Sequence, residues 1–138
     1  MSDNWWKAAG DTGIIQIENH SWDHNHPDAL LFSRKHSFQT VTGLRRCNKQ
    51  ILKSQKYIES ITGIRPTLFA YPWGESSPYL LNEYLPEHKS NHSLIAAFSC
   101  EPEMVNAQTN PWNIPRFVCG LHWKTSEELE ALLSSEAC

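Results

Sequence analysis

A helical stripe set between short β-branched runs is what most restricts how this chain can fold. From Ser37 to Ile61, the residues Val41, Leu44, Asn48, Ile51, Gln55 and Ile58 recur at three- or four-residue spacing, while Lys49, Lys53 and Lys56 fall off the stripe. This spacing predicts one long amphipathic helix, weak at Gly43 and stopped by Gly63. Residues 14 to 18 alternate apolar and polar, which predicts a short strand before it. "LFAY", Leu68 to Tyr71, predicts a second strand, ended by Pro72, which has no N–H for a ladder. Ser77-Pro78 reads as an N-cap with proline at the first helical position, opening a helix through Leu80, Leu81 and Tyr84 that should stop near Pro86. Leu94 to Phe98 and Ile114 to Val118 read as further strands. Thr125 and Glu128 form a capping box ahead of a last helix, and "WWKAAG" reads as the final turn of a helix with Gly10 just past its end. Such alternation predicts an α/β fold, with about four parallel strands flanked by helices. Functional sites in such folds lie at the carboxyl ends of the strands.

With 138 residues, the chain fits a single domain, residues 1–138. A net charge of −3, a pI near 6.1 and scattered Lys and Arg leave no basic patch for nucleic acid or anionic lipid. No apolar stretch approaches the roughly 18 residues of a membrane span, and the first residues lack a signal-peptide pattern, so the chain as written reads as cytoplasmic. Cys47, Cys100, Cys119 and Cys138 contain no C-x-x-C pair, which predicts free, mostly buried thiols. Trp22, Trp73, Trp112 and Trp123 each sit beside Gly, Pro or His, where loops are expected. Aromatic faces on loops suit a sugar-binding cleft; a buried core position is the ordinary alternative for each.

The segment "ENHSWDHNHPDA", residues 18–29, carries His20, His24 and His26 just behind the first predicted strand. A neutral imidazole is the commonest zinc ligand, and catalytic zinc takes three protein ligands with one position left for water. His20 and His24, four residues apart at a strand mouth, supply two. The competing explanation is a set of surface or capping histidines, since seven histidines in a chain of this length can produce such a pair by chance. Two imidazoles suit zinc, nickel, copper and iron alike.

At these residues the chain resembles a known family. "HSWDH" is similar to the H-(S/T)-x-x-H motif of the polysaccharide deacetylases, the family-four carbohydrate esterases, and "FAYPWG" resembles a segment found in one branch of them. The long helix between them, "GIRP", "IPRF" and the "TSEEL" helix follow in the same order, so the resemblance spans essentially the whole chain. It implies a deformed (β/α) barrel, here partial, in which an aspartate and two histidines hold a divalent metal, most often zinc. The matching histidines are His20 and His24. It further implies an aspartate base acting on water that attacks an N-acetyl, or sometimes O-acetyl, carbonyl of a sugar. The backbone N–H of Trp73 would face the developing oxyanion, its ring would wall the sugar groove, and Tyr71 and Pro72 would shape the turn. Tyr71, Trp73 and Trp22 are the expected sugar-stacking rings.

Both family aspartates belong to a T-F-D-D segment on a first strand, which this sequence does not contain. The expectation is therefore an N-terminally incomplete domain, secreted or periplasmic if a longer chain restores that strand, with an open sheet edge that a second copy could cover. Asp3 and Asp11 stand in the wrong context for the base. Asp23, Asp28 or His26 could complete the metal shell, with loop-structuring roles the alternative. Family members close with a leucine-x-histidine motif, whereas "CGLHW" places Leu121 directly beside His122. His122 is a candidate acid against a solvated or capping role. Arg116 and Arg65 are candidates to orient a carboxylate against ordinary surface roles. The functions that follow are a metal-dependent hydrolase of acetylated carbohydrate, or a non-catalytic carbohydrate-binding module with the same cleft, or a degenerate deacetylase-like module whose histidines are structural.

Overall fold

The computed structural model describes residues 4–24 and 37–134. Asp3, His26, Asp28 and Cys138 lie outside the described residues.

The fold is a mixed α/β arrangement around a small parallel sheet. β1 (Leu68–Ala70) pairs in parallel with β2 (Ala96–Phe98), in the register Leu68↔Ala96, Phe69↔Ala97 and Ala70↔Phe98. A parallel bridge Asn19↔Phe69 adds the chain before the histidine loop on one side, and Phe98↔Ile114 adds a fourth segment on the other. Four parallel segments therefore lie side by side in chain order, as expected, but only the inner two are strands. The outer two fall short for local reasons. At one edge, the carboxylate of Glu18 accepts the N–H groups of Thr67 (2.9 Å) and Leu68 (2.8 Å), the second of which a longer ladder would have used. At the other, Ile114 makes its bonds to Ala97 and Ser99, and the next donor, the Arg116 N–H, goes to the Glu101 carbonyl rather than to Ser99, which ends the regular pairing. A closed barrel is not formed by the described residues.

Helices alternate with these segments, and the second and third share a core with the sheet. α1 (Asn4–Asp11) runs through Gly10 rather than stopping there. The long helix, α2, begins at Leu44 and not at Ser37, because Gly43 adopts φ +78° and caps it. Phe38–Thr40 is instead a separate 3₁₀ turn, capped by the Ser37 hydroxyl, which accepts from the Gln39 N–H. α2 comprises Leu44–Asn48, a π-helical stretch Lys49–Lys53, and Ser54–Thr62, ending at a left-handed Gly63. α3 joins a π turn, Leu80–Tyr84, to Leu85–Glu87 and so passes through Pro86 rather than stopping before it. The Leu85 N–H reaches back five residues to Leu80, the wide turn by which a helix accommodates a proline. Ser77 is the expected N-cap, its hydroxyl accepting from the Leu80 N–H at 3.1 Å. α4 (Lys89–His92) is short, and α5 (Ser126–Ser134) starts with the expected Thr125–Glu128 capping box. Among the described residues no helix is long and apolar enough to cross a membrane.

The core lies between the sheet and α2 and α3. Phe38, Phe69 and Tyr71 form an aromatic cluster with centroids 5.3–6.3 Å apart, around which Val41, Ile51, Leu80, Leu85 and Leu94 close. Each such side chain stabilises by about 1.5–3 kcal/mol on burial. Two polar residues of the α2 stripe serve this packing: Asn48 accepts from the Tyr84 hydroxyl, and Gln55 donates to the carbonyls of Pro66 and His92. Trp112 is a core residue, so its neighbouring proline does not mark a sugar-binding loop. Of the thiols among the described residues, only Cys47 is buried, and burial pushes it up to about 12, whereas Cys100 is half-buried and Cys119 exposed.

His92 is fully buried. Its Nε2–H donates to the Leu85 carbonyl while Nδ1 accepts from the Leu94 N–H. Burial, with smaller contributions from His88, Arg65 and Lys89, holds this imidazole below its ordinary 6.5, only partly opposed by the Leu85 carbonyl. A histidine with a lowered folded value takes up its proton more readily when unfolded, so its neutral form stabilises fully above about pH 6.5 and that contribution declines as pH falls below. Urea denaturation between pH 7.5 and 5.5 should therefore show falling stability, with a shallower slope in His92→Gln; equal slopes would contradict this assignment.

Candidate active site at the carboxyl ends of the strands

The parallel bridge at Asn19 positions everything downstream of it. Its N–H donates to the Leu68 carbonyl and its carbonyl accepts from the Ala70 N–H, so His20 emerges beside the end of β1. His20 Nδ1 lies 2.8 Å from the Ala70 carbonyl oxygen. A carbonyl only accepts, so Nδ1 carries the proton and Nε2 keeps its lone pair. Metal-binding histidines are held in the same way, with the other ring nitrogen donating to a carbonyl or carboxylate. The chain then turns sharply through Ser21 (φ +74°) and His24 (φ +56°), left-handed conformations that cost non-glycine residues about 1–2 kcal/mol each. Local bonds hold this turn: the Ser21 N–H donates to the Asn19 side chain, and the His24 N–H donates to the Ser21 hydroxyl, both at 3.0 Å. The two imidazole centroids end 4.6 Å apart. Their planes stand 84° apart, edge to face, and at this separation the two imidazoles could supply two donors to one divalent ion.

No group of three or more His, Cys, Asp or Glu residues suited to a metal occurs among the described residues. Asp23 is loop-structuring: one oxygen accepts from Gln50 at 2.7 Å and the other pairs with Lys49 at 2.6 Å. Asp11 pairs with Lys7 on the surface of α1.

On the next segment, Tyr71-Pro72-Trp73-Gly74 bends the chain away from the sheet just past Ala70. Trp73 (φ +58°) and Gly74 (φ +72°) are both left-handed, and Trp73 is 73% exposed at the lip of the site. Tyr71 does not face a sugar. It is fully buried in the aromatic cluster, and its hydroxyl donates to the Trp112 carbonyl at 2.7 Å, burial raising its pKa well above the ordinary tyrosine range. Pro72 is likewise buried and shapes the bend. Trp22 packs edge-on against Tyr57 at 5.7 Å with the Lys53 ammonium 3.8 Å from its ring centre. Together with His20 it lines a cavity of about 400 Å³ between α1 and α2.

From the far side, Arg116 joins the bend through Cys100. Its Nε donates to the Ser99 carbonyl (2.8 Å), its outer nitrogen meets the Cys100 sulfur (3.3 Å), and Cys100 packs directly on Gly74. Arg65 donates to the Asn91 carbonyl, remote in sequence from these residues. The described contacts of His122 lie within its own turn: Nδ1 accepts from the Val118 N–H at 3.0 Å and the ring meets Phe117.

A sequence model of the family described as "Polysaccharide deacetylase" matches residues 4–85, more than half of the chain. The chain belongs to the polysaccharide deacetylase family. That match includes both histidines and the whole Tyr71–Gly74 bend of this deacetylase domain. No solved structure matches it.

Sequence reasoning missed Gly74, Cys100, Asn19 and Gln50. Gly74 stood within the "YPWG" motif without a role, yet it is constrained twice. A Cβ there would lie 2.6 Å from Cys100 Cβ and 2.7 Å from its backbone nitrogen, and φ is +72°. Gly63, with φ +75° and nothing within 4 Å, carries the conformational constraint alone. Urea denaturation should thus show Gly63→Ala costing about 1 kcal/mol and Gly74→Ala about 2–4 kcal/mol, strain and overpacking combined. Equal costs would remove the packing argument.

Proposed function

We propose that this protein is a metal-dependent deacetylase of N-acetylated, or O-acetylated, oligo- or polysaccharide, with His20 and His24 as two ligands of a divalent ion, zinc being the ion the family resemblance implies. The observation that carries this reading is the Nδ1–H bond from His20 to Ala70. It leaves Nε2 free to ligate, beside a second imidazole and within one residue of the exposed Trp73 bend. A divalent ion bound there would lower the pKa of water to about 7 and polarise an acetyl carbonyl.

The chain's own groups have distinct tasks. His20 and His24 hold the ion, and the Ala70 carbonyl keeps His20 in the ligating tautomer. The Trp73 N–H faces the oxygen on which charge develops, where one such donor contributes roughly 3–4 kcal/mol. The Trp73 ring walls the sugar groove. Trp22, in the cavity that reaches His20, serves a neighbouring sugar unit. Arg116 acts at a distance, bracing the bend through Cys100, and His122 is the weaker candidate for protonating the leaving amine.

One observation favours the second reading, a carbohydrate-binding module without catalysis: Asp11 and Asp23 are both engaged in ion pairs, leaving neither as base. The two readings separate on purified protein. Deacetylation requires near-stoichiometric zinc, cobalt or nickel by elemental analysis and release of acetate from an N-acetylglucosamine oligomer; retained metal without acetate supports the binding module. His20→Ala should abolish metal retention, and unchanged metal content would defeat the metal site. Trp73→Ala should weaken oligosaccharide binding by about 3- to 10-fold, the loss of one aromatic contact, while Tyr71→Phe should leave it unchanged. The converse result in calorimetry would overturn the assignment of Trp73 as the groove wall.

A further inference from the structure

The π-helical stretch in the middle of α2 has an unusual set of partners. Lys49 Nζ pairs with Asp23 at 2.6 Å, and the buried Gln50 donates to the same carboxylate at 2.7 Å. The Ile51 carbonyl accepts from the Asn19 side chain at 3.1 Å. Directly after the π stretch, the Ser54 hydroxyl donates to the Ser21 carbonyl at 3.1 Å. Four positions of one helix therefore grip Asn19, Ser21 and Asp23, which alternate with, or directly precede, the two histidines. A regular α-helix presents one face every 3.6 residues, so Lys49, Gln50, Ile51 and Ser54 would splay around its axis. Widening to the π form changes which groups share a side, and π turns concentrate at functional sites for this reason. The bonds are also continuous: Ile51 to Asn19, Asn19 to Ser21, Ser21 to His24.

We propose that the π turn of α2 is a clamp that sets the spacing and ring orientation of His20 and His24, with Asn19, Gln50 and Ser54 as positioning residues. This rests on the metal-site reading of the two histidines. The left-handed turn at Ser21 and His24 is intrinsically unfavourable, and its own local bonds connect only residues within the loop. The register of the loop against the rest of the fold must come from elsewhere. α2 supplies it, because Ile51, anchored in the core, fixes the helix while its carbonyl fixes Asn19. Partners of this kind, one bond removed from the ligands, typically change metal affinity 10- to 100-fold when removed.

The test uses the full chain with Gln50→Leu, which keeps the volume and removes both amide contacts to Asp23, and Ser54→Ala as the milder second variant should the first not fold. Nitrogen-detected NMR of the metal-free proteins reads the imidazole tautomers, and zinc titration reads affinity. The clamp requires displaced His20 and His24 ring signals in either variant, with zinc Kd raised about 10- to 100-fold and Tm shifted by no more than a few degrees. Unchanged ring signals, or a Kd within twofold of the parent, would overturn it. Parent protein that takes up no zinc would sink the metal-site reading instead, while the ring signals of the metal-free variants still decide the clamp.

Discussion

Two backbone hydrogen bonds at Asn19 carry the architecture of the candidate site. By pairing in parallel with Leu68 and Ala70, this residue ends the extended segment level with the carboxyl end of β1. His20 can then reach the Ala70 carbonyl, and the bend that follows Ala70 stands beside the histidine pair. A parallel sheet gathers its carboxyl ends on one rim, so residues separated by 50 positions, His20 and Ala70, meet without any long side chain spanning the gap. The polar side chain of Asn19 extends the same constraint sideways into α2 and forward into the Ser21 turn.

The rim is built by contrasting means. The turn from His20 to His24 takes its shape from hydrogen bonds to loop and helix groups. The Tyr71–Gly74 bend is shaped by packing: Tyr71 and Pro72 sink into the core, Gly74 presses on Cys100, and only the Trp73 ring is left outside. Unfavourable left-handed backbone occurs in both, at Ser21, His24 and Trp73. Strain of this sort persists where surrounding structure over-determines it and clusters at functional sites.

Much of the element pattern was legible from periodicity and capping chemistry. The α2 stripe, the Ser77 N-cap and the Thr125–Glu128 box all depend on neighbours within one or two turns, and the structure contains them. Besides the end of α1 at Gly10, two helix limits were misjudged for a common reason. Gly43 looked like a weak point and is the start; Pro86 looked like a stop and is crossed by a π turn. In each, backbone conformation and ladder register settled the matter, and neither is written in the hydrophobic pattern. The outer strands were overread because alternation shows a residue's preference for a two-faced surface, whereas ladder length depends on available donors. The Glu18 carboxylate takes one such donor, Leu68, and the Glu101 carbonyl takes another, Arg116.

By itself the sequence determined the family, the order of parallel segments, and the two histidines and the Pro-Trp bend as the residues of interest, since each is a local pattern read over a few positions. Only the tertiary structure decided which aromatic ring faces outward. Adjacent residues of one motif, Tyr71 and Trp73, have similar chemistry, and it is the bend after β1 that buries the first against Trp112 and exposes the second. It likewise decided that His20 presents Nε2, because the partner that fixes its tautomer is a backbone carbonyl 50 residues away. A backbone carbonyl has no side-chain identity, so no sequence motif could announce it.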